Sequence, residues 1–146
     1  MSAKPPMAKV ALRGPHGDVE TLWAEVMGGG RYCLANTPWY AYSISWRDIV
    51  EASPDADGQL QFVKVISKGG NRTVRIRSNE PFKSEWLGKL VALGASFEGA
   101  DHCLIGINIP GETELSVITS FLTAEAVEWE HADPSYEELY GSEAAT

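Results

Sequence analysis

The stretch NRTVRIRS at residues 71–78 is followed directly by NEPFKSEWLGKLVAL at residues 79–93, and the hydrophobic period changes between them. In the first segment Val74 and Ile76 alternate with arginines, which is typical of a β-strand with one apolar and one polar face. In the second segment the apolar residues recur at helical spacing. Together the two segments predict a strand that leads into a helix.

The predicted helix runs over residues 81–93. Asn79 is expected to cap its N-terminus and Gly94 to end it, because Asn is favoured at N-caps and Gly just beyond the last turn. One face carries four apolar residues at spacings of four, four and three, namely Phe82, Trp86, Leu90 and Leu93.

Strand and helix patterns alternate again further along the chain. The order βαββαβ predicts a ferredoxin-like half over residues 70–133, in which the first and third strands are central. We therefore expect these two strands to be neighbours and both helices to cover one face of the sheet. The predicted strands after the first are 96–98, 102–109 and 127–131, and the second helix is 112–122.

The residues before this half indicate an antiparallel meander. Gly28-Gly29-Gly30 and Asp57-Gly58 are tight-turn signals between short apolar runs. Closing the strands into a barrel would remove exposed edges, so we predict a small SH3-like β-barrel over residues 7–68. The predicted strands are 9–13, 19–27, 31–35, 47–52 and 60–67.

The predicted fold class is therefore α+β, with a barrel followed by a ferredoxin-like half. We assign residues 1–69 to the barrel half and residues 70–133 to the second half. Residues 134–146 form an acidic C-terminal tail.

Charge is divided unevenly along the chain. All twelve Lys and Arg lie at or before Lys89, whereas residues 90–146 contain eleven Asp and Glu and no Lys or Arg. The net charge is −8 at pH 7. This asymmetry predicts a surface that repels nucleic acid and attracts a basic protein.

The composition excludes several classes of protein. A chain that is 44% hydrophobic and 22% charged is typical of a globular domain. Two cysteines are too few for a disulfide framework. No apolar run reaches the length of a membrane span or of a signal peptide, which favours a cytoplasmic location.

Acidic and aromatic residues of the second half form the candidate surface for a basic partner. Glu128 and Glu130 share one face of the last predicted strand, and Trp129 lies on the other. The alternative is a solvated face that only aids solubility. The full set is Glu112, Glu114, Glu128, Trp129, Glu130, Asp133, Tyr136, Glu137, Glu138 and Tyr140.

Two further sets are candidates for other ligands. The first is a set of aromatic residues that could form a ligand pocket, because aromatic side chains are favoured at interfaces and in pockets. The alternative is that this set fills the end of the barrel or the seam between the halves. The arginines suggest a nucleic-acid contact, or an exposed strand face paired with the acids of the second half. The aromatic set is Trp39, Tyr40, Tyr42 and Trp46, and the basic set is Arg72, Arg75 and Arg77.

The sequence contains no recognisable catalytic or metal site. His102 and Cys103 are adjacent, so on a strand they point to opposite faces and cannot form a dyad. The three histidines lack the spacing of a metal signature. A strand follows Gly28-Gly29-Gly30, whereas a phosphate loop needs a helix there. We expect no cofactor, no metal and no enzymatic activity.

Residues 19–78 resemble a family of small bacterial proteins, the domain of unknown function DUF4265. The resemblance is carried by LWAE at 22–25, RYCLANTPWYAY at 31–42 and DIV at 48–50, and later by IPGETELSVITSFL and VEWEHADPSYEE. It covers nearly all of the chain. The resemblance implies that these motifs have structural roles, and it brings no established reaction with it. Members of the family are small stand-alone proteins, which implies an accessory or neutralising role.

These observations predict a non-enzymatic protein-binding module. The concrete form is an immunity or antitoxin-type protein that occludes a basic toxin or effector by electrostatically steered association. The alternatives are a small-molecule sensor that uses the aromatic set and an RNA-binding accessory protein that uses the arginines.

Overall fold

A computed structural model describes residues 5–99 and 103–141 of the chain. Its architecture is mixed α+β, with a closed barrel followed by a four-stranded sheet and three helices. This agrees with the predicted fold class at the level of a barrel and a second, mixed half. Among the described residues, none of the helices has the length and apolarity needed to cross a membrane.

Five strands form the barrel, and the first pairs in parallel with the fifth to close it. Apolar residues alternate along each strand, so that one set fills the interior, including Val10, Leu22 and Leu34. The strands are β1 Met7–Arg13, β2 Val19–Gly28, β3 Arg31–Leu34, β4 Ile49–Pro54 and β5 Leu60–Ser67.

The predicted Asp-Gly turn connects β4 and β5. The Asp55 carboxylate accepts hydrogen bonds from the backbone N–H groups of Asp57, at 2.9 Å, and Gln59, at 3.0 Å. Gly58 has a φ of 84°, a conformation that glycine adopts without steric cost.

The second sheet is antiparallel and has the strand order β7-β8-β6-β9. The first and third strands of this half are therefore central neighbours, as the strand pattern predicted. The strands are β6 Arg72–Arg77, β7 Ser96–Gly99, β8 Leu104–Ile109 and β9 Glu128–Asp133.

Both longer helices cover the same face of this sheet. Leu87 and Leu90 of one helix, and Ile118 and Leu122 of the other, pack with the apolar side chains of β6 and β8 in one buried cluster. The helices are α1 Ser84–Ala92, α2 Leu115–Ala124 and the short α3 Tyr136–Tyr140.

The start of α1 differs from the prediction. The helix begins at Ser84, three residues after Pro81, and its N-cap is Lys83, which makes no side-chain capping bond. Asn79 therefore does not cap it. The predicted end is confirmed, because Gly94 follows the C-cap with a φ of 101°.

Residues 35–48 join β3 to β4 and cover the other face of the second sheet; we call them the seam loop. The approach is close at Gly106 of β8, where an added Cβ would lie 3.1 Å from the Pro38 carbonyl oxygen. The predicted aromatic set lies on this loop, so it occupies the seam between the two halves.

Candidate functional site

A buried carboxylate of the barrel holds one side of the seam loop. Glu20 of β2 accepts hydrogen bonds from the backbone N–H groups of Trp39, Tyr40 and Ala41, at 2.7, 2.8 and 2.9 Å. Its side chain lies on the same side of β2 as the residues that fill the barrel, and the residue is only 6% exposed. Three donors satisfy a carboxylate that would otherwise be costly to bury.

A buried guanidinium of the second sheet holds the same loop from the other side. Arg75 of β6 is 2% exposed and donates to the carbonyl oxygens of Ala41, at 2.8 Å, and Tyr40, at 3.2 Å. A longer bond of 3.4 Å reaches the carbonyl of Pro38. The loop therefore lies between a barrel anion, which binds its N–H groups, and a sheet cation, which binds its carbonyls.

Arg75 also contacts the acidic strand β9 and the aromatic set. Its Nε lies 3.1 Å from Oε1 of Glu130, and its guanidinium lies 4.7 Å from the centre of the Tyr42 ring. The Tyr42 hydroxyl donates to Oε2 of Glu130 at 2.7 Å. Burial, together with the bond to Glu130, raises the pKa of Tyr42.

A second polar cluster lies deeper in the seam. Lys68 Nζ lies 2.5 Å from the Asp48 carboxylate and 2.6 Å from that of Asp133. Ser45 donates to Asp133 at 2.5 Å and shares a 2.7 Å bond with Thr73. We call these five residues the seam cluster; they tie the barrel half to the second sheet.

The charge of Lys68 is stabilised in this cluster. Burial by itself lowers the pKa of Lys68, but the bonds to Asp133 and Asp48 more than offset that effect. The pKa therefore lies above its ordinary value, and the lysine is a cation at neutral pH.

Two cavities open along the seam and share a wall. The smaller, of about 330 Å³, lies among Trp39, Tyr40, Arg75, Arg77 and Glu128. The larger, of about 800 Å³, is lined by His131 and the α3 residues Tyr136, Glu137 and Tyr140. The residues that line both are Pro15, Tyr42, Trp129 and Glu130. We call the joined cavities the seam groove.

Aromatic rings form one wall of the larger cavity. Trp129 and His131 meet edge to face with centroids 4.8 Å apart, and His131 lies 6.1 Å from Tyr140. Burial lowers the pKa of His131, and its buried Nδ1 has no hydrogen-bond partner in the described part of the chain. The imidazole is therefore neutral at pH 7.

A capping box positions α3 beside this wall. Ser135 accepts from the Glu138 N–H at 3.1 Å, and Glu138 accepts from the Ser135 N–H at 2.9 Å. Glu138 also accepts from the Ser43 hydroxyl of the seam loop at 2.5 Å. The bonds from Ser43 and from the Ser135 backbone lower the pKa of Glu138.

The structure divides the predicted acidic and aromatic partner set. Asp133 is 5% exposed and belongs to the seam cluster, so a partner cannot reach it. Glu112 and Glu114 precede α2 and line neither cavity. Trp129 is partly buried against the core between the second sheet and its helices, and its indole N–H donates to Thr123. The members that line the groove are Glu128, Trp129, Glu130, Tyr136, Glu137 and Tyr140.

The structure also separates the three arginines of the predicted basic set. Arg75 was expected on an exposed face, but the seam loop covers it, and its donors bind carbonyls and Glu130. Arg72 donates to the carbonyls of Pro110 and Thr113. Arg77 is exposed, whereas Arg72 is half-buried and Arg75 is buried. A nucleic acid could not contact Arg75 in this structure.

Three of the four predicted pocket aromatics lie in the groove. Trp39, Tyr40 and Tyr42 line the smaller cavity. Trp46 is 37% exposed and lines neither cavity; its carbonyl accepts from Asn71. The Trp39 indole donates to the Glu98 carbonyl of β7, which fixes its ring in the seam.

Several residues that build the site were not predicted. The sequence did carry a signal for Glu20. Glu20 alternates with Leu22 and Ala24 on the side of β2 that faces the barrel interior, and it is the one charged residue on that side of the strand. Asp48 and Lys68 had none, since Lys68 bonds to Asp48, 20 residues earlier, and to Asp133, 65 residues later.

The described residues hold no group of three or more His, Cys, Asp or Glu placed to bind a metal ion. Cys33 is buried, and burial raises the pKa of its thiol. His102, half of the adjacent pair considered above, lies outside the described residues.

Comparisons with known proteins find one family and one similar fold. A family model described as a domain of unknown function, DUF4265, matches residues 20–132. A crystal structure of a hypothetical protein from Neisseria gonorrhoeae superposes with a TM-score of 0.72 and 18% identity, over 93% of this chain and 99% of that one. At that identity the likeness shows the fold alone. The comparison with curated proteins gives no match.

Proposed function

The chain belongs to the DUF4265 family, as its motifs predicted, and because that description names no activity we propose a function from the seam groove. We propose a non-enzymatic protein-binding module of the immunity or antitoxin type. It would take a cationic segment of a basic toxin or effector into the groove and occlude it.

One observation carries this proposal. Two sets of residues that are far apart in sequence, the aromatic seam loop and the acidic β9 with α3, line the same pair of cavities. The Tyr42 bond to Glu130 joins them across 88 positions. Aromatic surface supplies contact area at low entropic cost, and the carboxylates attract cations.

Long-range electrostatics supports the same proposal. The chain carries a net charge of −8, and Arg75 at the groove is engaged by Glu130 and by backbone carbonyls, which leaves Arg77 as the exposed arginine of its lining. A field of this sign accelerates encounter with a basic partner and slows encounter with nucleic acid.

We also propose names for the two halves: an SH3-like barrel over 1–69 and a ferredoxin-like half over 70–133, followed by the acidic tail. Five short strands closed into a barrel support the first name. The order β7-β8-β6-β9, with the first and third strands central, supports the second.

The test measures association with a labelled peptide rich in lysine and arginine, and with any basic protein recovered by pull-down from the source cell. The groove variant is Glu128→Gln with Glu137→Gln. The matched control is Glu112→Gln with Glu114→Gln, which changes the net charge equally but lies outside both cavities. Stopped-flow association is followed from low to physiological salt.

We expect the groove variant to associate several-fold more slowly at low salt than the control, because nearby charges dominate steering within a Debye length of about 8–10 Å. The wild-type rate should also fall steeply with added salt. Equal rates for the two variants, or rates that ignore salt, would contradict the proposal. A toxin-like reading frame beside the gene would support the neutralising form.

A small-molecule sensor is the second candidate. The smaller cavity, about 330 Å³, lies within the size range of ligand pockets and combines aromatic rings with Arg77 and Glu128. A sensor would bind a small ligand in the smaller cavity without dependence on Glu137, which lines only the larger cavity. Thermal shift of the purified protein against a metabolite panel separates it from the protein-binding proposal.

A further inference from the structure

The larger cavity of the seam groove has a lining suited to an organic cation. Two carboxylates, Glu130 and Glu137, line it, and no Lys or Arg does so among the described residues. His131 adds no charge at neutral pH, because burial lowers its pKa. A cation that enters meets negative charge and aromatic faces together.

The protein already binds one guanidinium at the shared wall. Arg75 lies over the Tyr42 ring at 4.7 Å and pairs with Glu130 at 3.1 Å. Arg75 lines only the smaller cavity, whereas Tyr42 and Glu130 line both. Each Glu130 oxygen already accepts one bond, Oε1 from Arg75 and Oε2 from Tyr42, so a second guanidinium from the larger cavity would contact this tyrosine and carboxylate alongside those bonds.

The opposite wall supplies further ring surface. Tyr136 and Tyr140 lie one helical turn apart on α3, with centroids 4.8 Å apart at an angle of 47°. Tyr140 is 57% exposed, so a ligand can reach its ring without unfolding α3. Such tilted tyrosines offer a face to a planar cation.

We propose that the larger cavity binds an arginine side chain of the basic partner. This deepens, and rests on, the proposed protein-binding function. A guanidinium is planar and weakly hydrated, so it stacks on rings while donating to carboxylates; an ammonium is a compact, strongly hydrated charge. Glu130 is paired with Arg75, so the negative charge left to attract the bound arginine comes from Glu137.

The experiment compares three glycine-flanked peptides that differ only in two equivalent positions, which hold arginine, lysine or citrulline. Citrulline keeps the shape of arginine and lacks its charge. Affinities are measured by fluorescence anisotropy at low and physiological salt, with the wild-type chain.

Two aromatic variants accompany the peptides. Tyr140→Leu removes one ring from the cavity, and Tyr140→Phe keeps it. The control is Trp23→Leu, an exposed aromatic residue of the barrel that lines neither cavity. We expect Tyr140→Leu to weaken the arginine peptide by about twofold to fivefold, the value of an exposed cation–π contact. Trp23→Leu should bind as the wild type does, and Tyr140→Phe, which keeps the ring, should restore most of the affinity lost in Tyr140→Leu.

The outcomes separate this inference from the function on which it rests. The arginine site is supported if the arginine peptide binds more tightly than the lysine peptide and if, of the aromatic variants, Tyr140→Leu is the one that loses this affinity. Equal affinity for arginine and lysine, or no change in Tyr140→Leu, overturns the arginine site. If both cationic peptides then still lose affinity in the Glu128→Gln, Glu137→Gln variant, the protein-binding function stands without this site. If neither peptide binds better than citrulline, both proposals fail.

Discussion

Glu20 and Arg75 are opposite charges that hold one loop through its peptide groups. The carboxylate binds N–H groups and the guanidinium binds carbonyls of the same few residues, 38–41. Each charge is thereby satisfied where burial alone would be unfavourable. The loop that carries the groove aromatics is consequently fixed in position by charges on both sides.

Removing the cation should release this loop. We expect Arg75→Met to lower the free energy of unfolding by about 3 kcal/mol, because it leaves buried carbonyls and Glu130 without their donor. Arg77→Met, two positions along the same strand and exposed, should change it by less than about 0.5 kcal/mol. Urea unfolding of both variants measures the difference. Similar effects for the two would contradict the role assigned to Arg75.

The sequence could suggest these residues but not their partners. The alternation in RTVRIR correctly separated an arginine face from a valine–isoleucine face. It could not reveal that the arginine face is covered, since the covering loop lies 34 to 37 residues earlier. The aromatic and acidic candidates were likewise identified separately, because only tertiary packing brings Tyr42 to Glu130.

At the scale of elements, α3 and β9 form one unit around His131. The imidazole lies between Trp129 of the strand and Tyr140 of the helix. Ser43 of the seam loop holds the unit through Glu138 and through a backbone bond to the carbonyl of Ala132. The protonation of His131 therefore depends on this packing.

That dependence predicts a pH effect on stability. Burial lowers the pKa of His131 in the folded chain below the unfolded value of about 6.5, so the unfolded state takes up the proton first. The contribution of the neutral His131 to the free energy of unfolding should be fully present above about pH 6.5. It should be lost as the pH falls through the pKa of His131 in the folded chain. His131→Phe keeps a ring and cannot titrate, so its free energy of unfolding should vary less between pH 6.5 and 5. Chemical denaturation across that range measures both proteins, and parallel profiles would exclude His131 as the source.

Strands were easier to predict than helix starts. β5 was predicted at its observed bounds, and the other barrel strands within a few residues, because period-two alternation and Gly turns delimit them. The start of α1 was misplaced because Asn79 is a good cap in isolation, whereas the observed N-cap, Lys83, makes no capping bond at all.

At the scale of the whole molecule, the seam cluster joins the two halves. Asp48 and Lys68 come from the barrel side, and Thr73 and Asp133 from the second sheet. Two buried carboxylates share one cation, so loss of the cation affects both halves together.

We expect Lys68→Met to lower the free energy of unfolding by about 2 kcal/mol, less than for a fully buried pair because Lys68 is partly exposed. Lys64→Met is the control, since Lys64 forms an exposed 3.9 Å pair with Glu51 and lies outside the seam cluster. The raised pKa of Lys68 means that its contribution is complete below about pH 10.4 and is lost as the pH rises through the folded value. The difference between wild type and Lys68→Met should therefore shrink in alkali.

Urea unfolding monitored by tryptophan fluorescence and far-ultraviolet circular dichroism provides the measurement. Coincident transitions that shift together in Lys68→Met would support joint unfolding of the halves. A shift confined to one probe, or an equal shift in Lys64→Met, would contradict the linking role of the seam cluster.

The order of strands in the second sheet has a consequence for synthesis on the ribosome. Every barrel strand precedes Lys68, whereas its partner Asp133 is made 65 residues later, on the last strand. That last strand, β9, takes its place beside β6, the first strand of its sheet. The nascent chain can therefore assemble barrel pairings early. It cannot complete the seam or the acidic side of the groove until β9 has left the exit tunnel.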